Sequence, residues 1–159
     1  MGVYRTAQIC LNGHVINDSA DEHTERNQKF CSLCGQPTIM NCPNCNEKIR
    51  GCYYVPGVLK SWKYSAPAFC YNCGKPYPWT DEKLKAANEL IAEDEQLSQS
   101  EKETLALALP DIISETPRTQ LAATKFKKLI GKAVSVTGEG LKQILVDIAS
   151  ETAKKILWP

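Results

Sequence analysis

A chain of 159 residues with 43% hydrophobic side chains can form one compact domain, or a small domain with an appendage. Nineteen Lys and Arg against eighteen Asp and Glu leave a formal charge of +1, which excludes a strongly basic nucleic-acid coat and an acidic tail protein. No apolar run approaches the roughly 20 residues of a membrane-spanning helix, and residues 1–30 lack the apolar core of a secretory leader.

Charge and cysteine are unevenly spread. Residues 1–80 carry +3, residues 81–116 carry −7 and residues 117–159 carry +5. All eight cysteines lie between Cys10 and Cys73. The pattern reads as a cysteine-rich half, an acidic middle and a basic tail.

Taken in chain order, Gln8-Ile9-Cys10 and His14-Val15-Ile16 predict two short strands around an Asn12-Gly13 turn. This turn carries Cys10-Leu-Asn-Gly-His14, the first ligand unit. Three Cys-x-x-Cys units follow: Cys31/Cys34, Cys42/Cys45 and Cys70/Cys73. Pro37–Met40 and Lys48–Val55 read as strands between them, and Ala68-Phe69-Cys70 leads into the last unit. Gly35 and Gly74 follow their cysteines where a left-handed backbone is needed, and Gly13 serves the first turn.

Four two-ligand units make two four-ligand sites, the number zinc takes in structural sites. The spacings are those of metal ligands rather than of a disulfide framework. Iron–sulfur motifs usually crowd their cysteines closer together. Loop-closure entropy favours sequential pairing, with Cys10, His14, Cys31 and Cys34 at site one and Cys42, Cys45, Cys70 and Cys73 at site two. An interleaved pairing is the alternative. Hairpins this short bury little surface, so two structural Zn²⁺ ions are expected to supply folding energy. Cys52 stands outside the units and reads as a small buried strand residue. His23 lies in a polar run, and the tighter spacing from Cys10 favours His14 as the ligand.

The run Ile9-Cys10-x-Asn12-Gly13-His14-Val15-Ile16, followed by Phe30-Cys31-x-x-Cys34-Gly35, resembles a bacterial family of uncharacterised proteins with paired zinc ribbons. Cys42-Pro43-x-Cys45, Ile49-x-Gly51, Phe69-Cys70-x-x-Cys73-Gly74 and Pro78-Trp79-Thr80 extend the likeness over about residues 5–82. The resemblance implies a double zinc ribbon with rubredoxin-type knuckles and a bacterial setting. It implies no activity.

Beyond the cysteines, Thr80-Asp81-Glu82 reads as a helix start. Leu84, Ala87, Leu90 and Ile91 continue it at helical spacing. Ser98 or Ser100 caps a second helix that carries Leu105, Leu107 and Leu109. Pro110 and Pro117 bracket an expected linker at 110–118. A third helix carries Leu121, Lys125, Phe126, Leu129, Ile130, Ala133 and Val134, and Gly138 and Gly140 are expected to interrupt it. A fourth places Leu141, Ile144, Leu145, Ile148, Ala149, Thr152, Ala153 and Ile156 on one stripe.

No enzyme site can be assembled. His23-Thr24-Glu25 matches half of the zinc deaminase signature, but the Pro-Cys-x-x-Cys half is missing. Phosphate loops, nucleophile elbows and His-Glu-x-x-His are absent.

The expectation is an α+β chain: a double zinc-ribbon domain at 1–80, a helical hairpin packed on it at 81–109, a linker at 110–118 and an amphipathic helical tail at 119–159. It is expected to be a cytoplasmic, non-enzymatic zinc-binding adapter. Its partner would be an unknown protein, or a second copy held through residues 119–159. Tyr53, Tyr54, Trp62, Tyr64 and Tyr71 are its candidate contact residues, and single-stranded nucleic-acid binding through the same aromatics with Lys60, Lys63 and Lys75 is a less favoured reading. A third is an oligomerising or membrane-surface effector that uses the C-terminal helices.

Overall fold

The cysteine-rich stretch is built from strands too short to hold themselves together. In a computed structural model, which describes residues 1–159, it forms one compact unit, Met1–Asp81; Glu82–Pro159 forms a second. The fold is α+β, with short antiparallel strands first and five helices after.

In the first unit, β2 (Gln8–Cys10) is the middle strand of a three-stranded sheet, between β3 (Val15–Asn17) and β4 (Thr38–Ile39). A second, two-stranded sheet pairs β1 (Val3–Thr6) with β5 (Arg50–Tyr54). β1 has no counterpart among the expected strands. The Ala68-Phe69 approach makes only a single bridge, Phe69 to Pro76. Ala7, Ile9, Ile49, Tyr77 and Trp79 pack with Cys42 and Cys70 into one small core. Tyr77 and Trp79 stack at 4.6 Å, and the Trp79 indole donates to the Pro67 carbonyl at 2.8 Å.

The helix starting near Thr80 begins two residues earlier: α1 spans Pro78–Glu93. Proline suits the first turn, where its missing N–H would have no partner. Thr80 does not cap; its hydroxyl donates to the Ala68 carbonyl at 2.8 Å.

In the second unit, α2 (Gln99–Ile113) opens on a capping box between Ser98 and Glu101. The expected linker is corrected: Pro110 lies inside α2, which runs on to Ile113. A mid-helix proline costs roughly 3 kcal/mol, but Leu105, Leu109, Ile112 and Ile113 are all buried, so burial on both sides of the proline holds the helix together. Residues 114–118 form a hydrogen-bonded turn, in which Thr119 Oγ1 donates to the Ser114 carbonyl at 2.6 Å and accepts from the Thr116 N–H at 2.8 Å.

α3 (Thr119–Ile130) packs against α2 and α5 (Glu151–Leu157). It buries Ala122, Ala123 and Phe126, whereas Leu121 is exposed. The third helix ends earlier than expected, at Ile130, with Ala133 and Val134 beyond it, and Gly138 and Gly140 do not interrupt it, since both lie within α4 (Ser135–Leu145). A Cβ at Gly140 would stand 2.6 Å from Leu90 Cδ2, so this glycine admits a neighbouring side chain rather than breaking the helix. The fourth predicted helix is two, α4 and α5. Its stripe is covered rather than free: Leu141, Leu145, Ile148, Ala149 and Ala153 are buried.

Asp94, between α1 and α2, is buried and fully engaged. One carboxylate oxygen accepts from the Gln96 and Leu97 N–H groups at 2.8 and 3.0 Å. The other accepts from the Val134 N–H at 2.9 Å, at the start of α4. Burial pushes its pKa up, but the Thr137 hydroxyl and these N–H donors outweigh it and hold the carboxyl below the ordinary range.

Candidate metal centres

The three Cys-x-x-Cys units share one backbone design. The first cysteine of each donates its N–H to the carbonyl five residues on: Gln36, Glu47 and Lys75, at 2.8, 2.7 and 2.9 Å. The residue after the second cysteine donates back to the first at 2.8–2.9 Å. A single strand bridge closes each loop at its base: Phe30 with Pro37, Asn41 with Lys48 and Phe69 with Pro76. Closing the turn demands a left-handed residue, which is Gly35 at φ 75°, Asn46 at φ 63° and Gly74 at φ 74°. The glycines are legible as such in the sequence. Asn46 is missed, although it is the non-glycine type that best tolerates this conformation. The Cys10–His14 turn is one residue tighter, with Gly13 at φ 91°.

These turns bring the ligand atoms together in two groups. Cys10, His14, Cys31 and Cys34 form one and Cys42, Cys45, Cys70 and Cys73 the other, with the ligand atoms of each group within 4.8 Å of one another. The grouping is the sequential one. Contacts in the first group include Cys10 Sγ to Cys34 Sγ at 3.7 Å, and His14 Nδ1 to Cys10 and Cys31 Sγ at 3.4 and 3.6 Å. In the second, Cys42 Sγ to Cys73 Sγ is 3.8 Å and Cys45 Sγ to Cys70 Sγ is 3.7 Å.

No disulfide is formed, since a disulfide needs its sulfurs about 2.05 Å apart. Four sulfurs about 2.3 Å from a tetrahedral ion stand about 3.8 Å from one another, and a nitrogen at about 2.0 Å stands about 3.5 Å from them. The contacts given fit that figure, and each group could hold a metal ion.

The electrostatics suit a cation. Burial pushes the Cys42 thiol up to about 11 and raises Cys10 too. The Gln36 N–H leads in lowering Cys34 to about 6. At Cys70 burial pulls upward most strongly, but the Cys73 and Asn72 N–H groups and neighbouring thiols together bring it down to about 6. Each group thus joins a thiol that ionises readily to one that needs a cation opposite it.

A family model described as "Uncharacterized protein conserved in bacteria (DUF2321)" matches residues 3–157. The chain belongs to that family. The match to DUF2321 runs through the helical unit as well, whereas the resemblance carried by the cysteine motifs ends near residue 82. Neither the curated proteins nor the solved structures contain a significant match.

Other residues singled out from the sequence of this DUF2321 member lie elsewhere. Cys52 is buried in β5 with its Sγ 3.1 Å from Ser19 Oγ, and it joins neither group. His23 and Glu25 contact each other at 3.6 Å and also join neither. Among the aromatics, Tyr53, Tyr54, Trp62 and Tyr71 are exposed. Tyr64 instead packs against the core, and its hydroxyl donates to the Arg50 carbonyl. Arg50 lies between the Tyr4 and Tyr71 rings, 4.4 and 3.6 Å from their centroids. No helix is long and apolar enough to cross a membrane.

Proposed function

We propose that this is a cytoplasmic, non-enzymatic zinc protein in which Cys10, His14, Cys31 and Cys34 hold one structural Zn²⁺ and Cys42, Cys45, Cys70 and Cys73 the other. It acts as an adapter that presents a surface to a protein partner. The observation that supports this reading is the four-atom spacing within each group, which accommodates a tetrahedral ion and leaves no position for a reacting water. A mixed thiolate–imidazole set beside an all-thiolate set suits zinc. With the C-terminal stripe covered, the surface for a partner is the face of β1 and β5 on which Tyr4 and Tyr53 are exposed beside Arg50, while Tyr54 and Arg5 stand together on the opposite face.

Two measurements test this. Native mass spectrometry of the chain from its host should show two zincs and a stoichiometric second protein; a bare chain with two zincs would remove the adapter role. The cobalt-substituted protein should show thiolate charge-transfer bands that azide leaves unchanged, and a shift would reveal an open metal position.

Single-stranded nucleic-acid binding is the second reading, supported by the exposed rings of Tyr53, Tyr54, Tyr71 and Trp62. It requires affinity that falls steeply with salt, and a flat salt profile would dismiss it.

A further inference from the structure

Residues 56–63, Pro-Gly-Val-Leu-Lys-Ser-Trp-Lys, leave β5 as eight consecutive exposed residues. The Val58 N–H donates to the Val55 carbonyl at 3.2 Å and Gly57 has φ 79°. Pro56 and Gly57 are therefore the central pair of a type II turn. Beyond it, Val58 is 58% exposed, Leu59 92% and Trp62 48%. The stem of the loop is fixed where Tyr64 packs on the core and where the Trp79 indole holds the Pro67 carbonyl. Single exposed apolar residues need no explanation, but three within five positions on an anchored loop mark an interaction site.

Apart from the metal-ligand cysteines, the charged side chains of this stretch of sequence are all basic. From Lys48 to Thr80 the chain carries Lys48, Arg50, Lys60, Lys63 and Lys75 and no Asp or Glu. Asp18, which pairs with Lys60, reaches the loop from elsewhere in the chain.

We propose that the 56–63 loop docks the protein on an anionic lipid bilayer. Val58 and Leu59 enter the acyl boundary. Trp62 rests at headgroup level, where an indole satisfies both its apolar ring and its N–H. Lys63 contacts lipid phosphate, joined by Lys60 as it exchanges Asp18 for phosphate. Aliphatic side chains at the most exposed positions favour lipid over nucleic acid, because bases stack on flat π faces that Val58 and Leu59 do not have. The attachment is reversible and no stronger than that of a single acyl chain, about 10⁴ M⁻¹. It is independent of the adapter role, since it uses neither the metal ligands nor the β1–β5 face.

The experiment is sedimentation of the full, metal-loaded chain with phosphatidylcholine vesicles with and without phosphatidylglycerol. Wild type should sediment with the anionic vesicles and less with neutral ones. Leu59→Glu should reduce partitioning at least about tenfold with metal content unchanged, whereas Leu107→Glu, an exposed apolar position in α2, should leave it intact. Brominated acyl chains should quench tryptophan fluorescence in wild type and not in Trp62→Phe. The proposal is overturned if wild type stays in the supernatant, or if Leu59→Glu partitions like wild type. It is also overturned if Trp62→Phe is still quenched, or if oligothymidylate displaces the protein from vesicles and binds Leu59→Glu equally well.

Discussion

The two compact units reach stability by different routes. Met1–Asp81 has strands of two to five residues and a core in which two of seven buried side chains are cysteines. Glu82–Pro159 buries Leu105, Leu109, Ile112, Phe126, Leu141 and Leu145, a conventional apolar interior, and ties α1–α2 to α4 through Asp94. Where apolar area is scarce, coordination bonds at the two ligand groups would replace it. Where it is sufficient, one buried carboxylate serves to set helix positions.

Metal removal is the strongest way to break that contrast. Binding of a structural zinc is worth about 10–16 kcal/mol, comparable to the whole stability of a small domain. Chelation should abolish amide protection in β1–β5 and the knuckles while α2–α5 retain theirs, as read by hydrogen exchange. Simultaneous loss in both units would mean that they do not stand on separate footings.

Acid should separate them next. Protons compete with the metal for the thiolates and the imidazole that would hold it, so metal release begins the loss in the first unit. Asp94 has a folded pKa below its ordinary 3.8. Its contribution is therefore complete above pH 3.8 and declines only as pH falls toward the folded value. A pH titration followed by metal release and helical circular dichroism should show two steps, metal first; a single step, or helix loss first, contradicts the contrast.

A point change sharpens it. Asp94→Ala leaves three backbone N–H groups without their acceptor and should lower the stability of the helical unit by roughly 2–3 kcal/mol, measured by denaturant unfolding, with two metals still bound. The smallest expected effect is at the second knuckle. Asn46→Ala puts an unsuited side chain at φ 63° and should cost the first unit about 1 kcal/mol, while Asn46→Gly should cost nothing. Equal stability of the two variants would remove the backbone argument for the knuckle.

Much of the site was legible because a Cys-x-x-Cys turn is a local object. Ligand types, spacing and the following glycine lie within six residues, and the shared hydrogen-bond pattern of the three knuckles follows from that. Asn46 escaped because asparagine signals a left-handed residue less plainly than glycine. β1 escaped because Val3–Thr6 takes its partner from β5, some 47 residues on. In the helical half, Pro110, Gly138 and Gly140 mislead for one reason: breaker residues report local propensity, and burial on either side overrides it. The third helix's face is misjudged at Leu121, because small Ala122 and Ala123 are what a close helix contact buries.

The sequence by itself determined the four ligand units and the α+β order, since each rests on residues near one another along the chain. Only the tertiary structure decided which knuckles come together, which apolar stripe is covered and which loop stands exposed. It also decided that Asp94 reaches Val134, forty residues away. These depend on contacts between distant segments, and there the free energy of burial, not local propensity, selects the outcome.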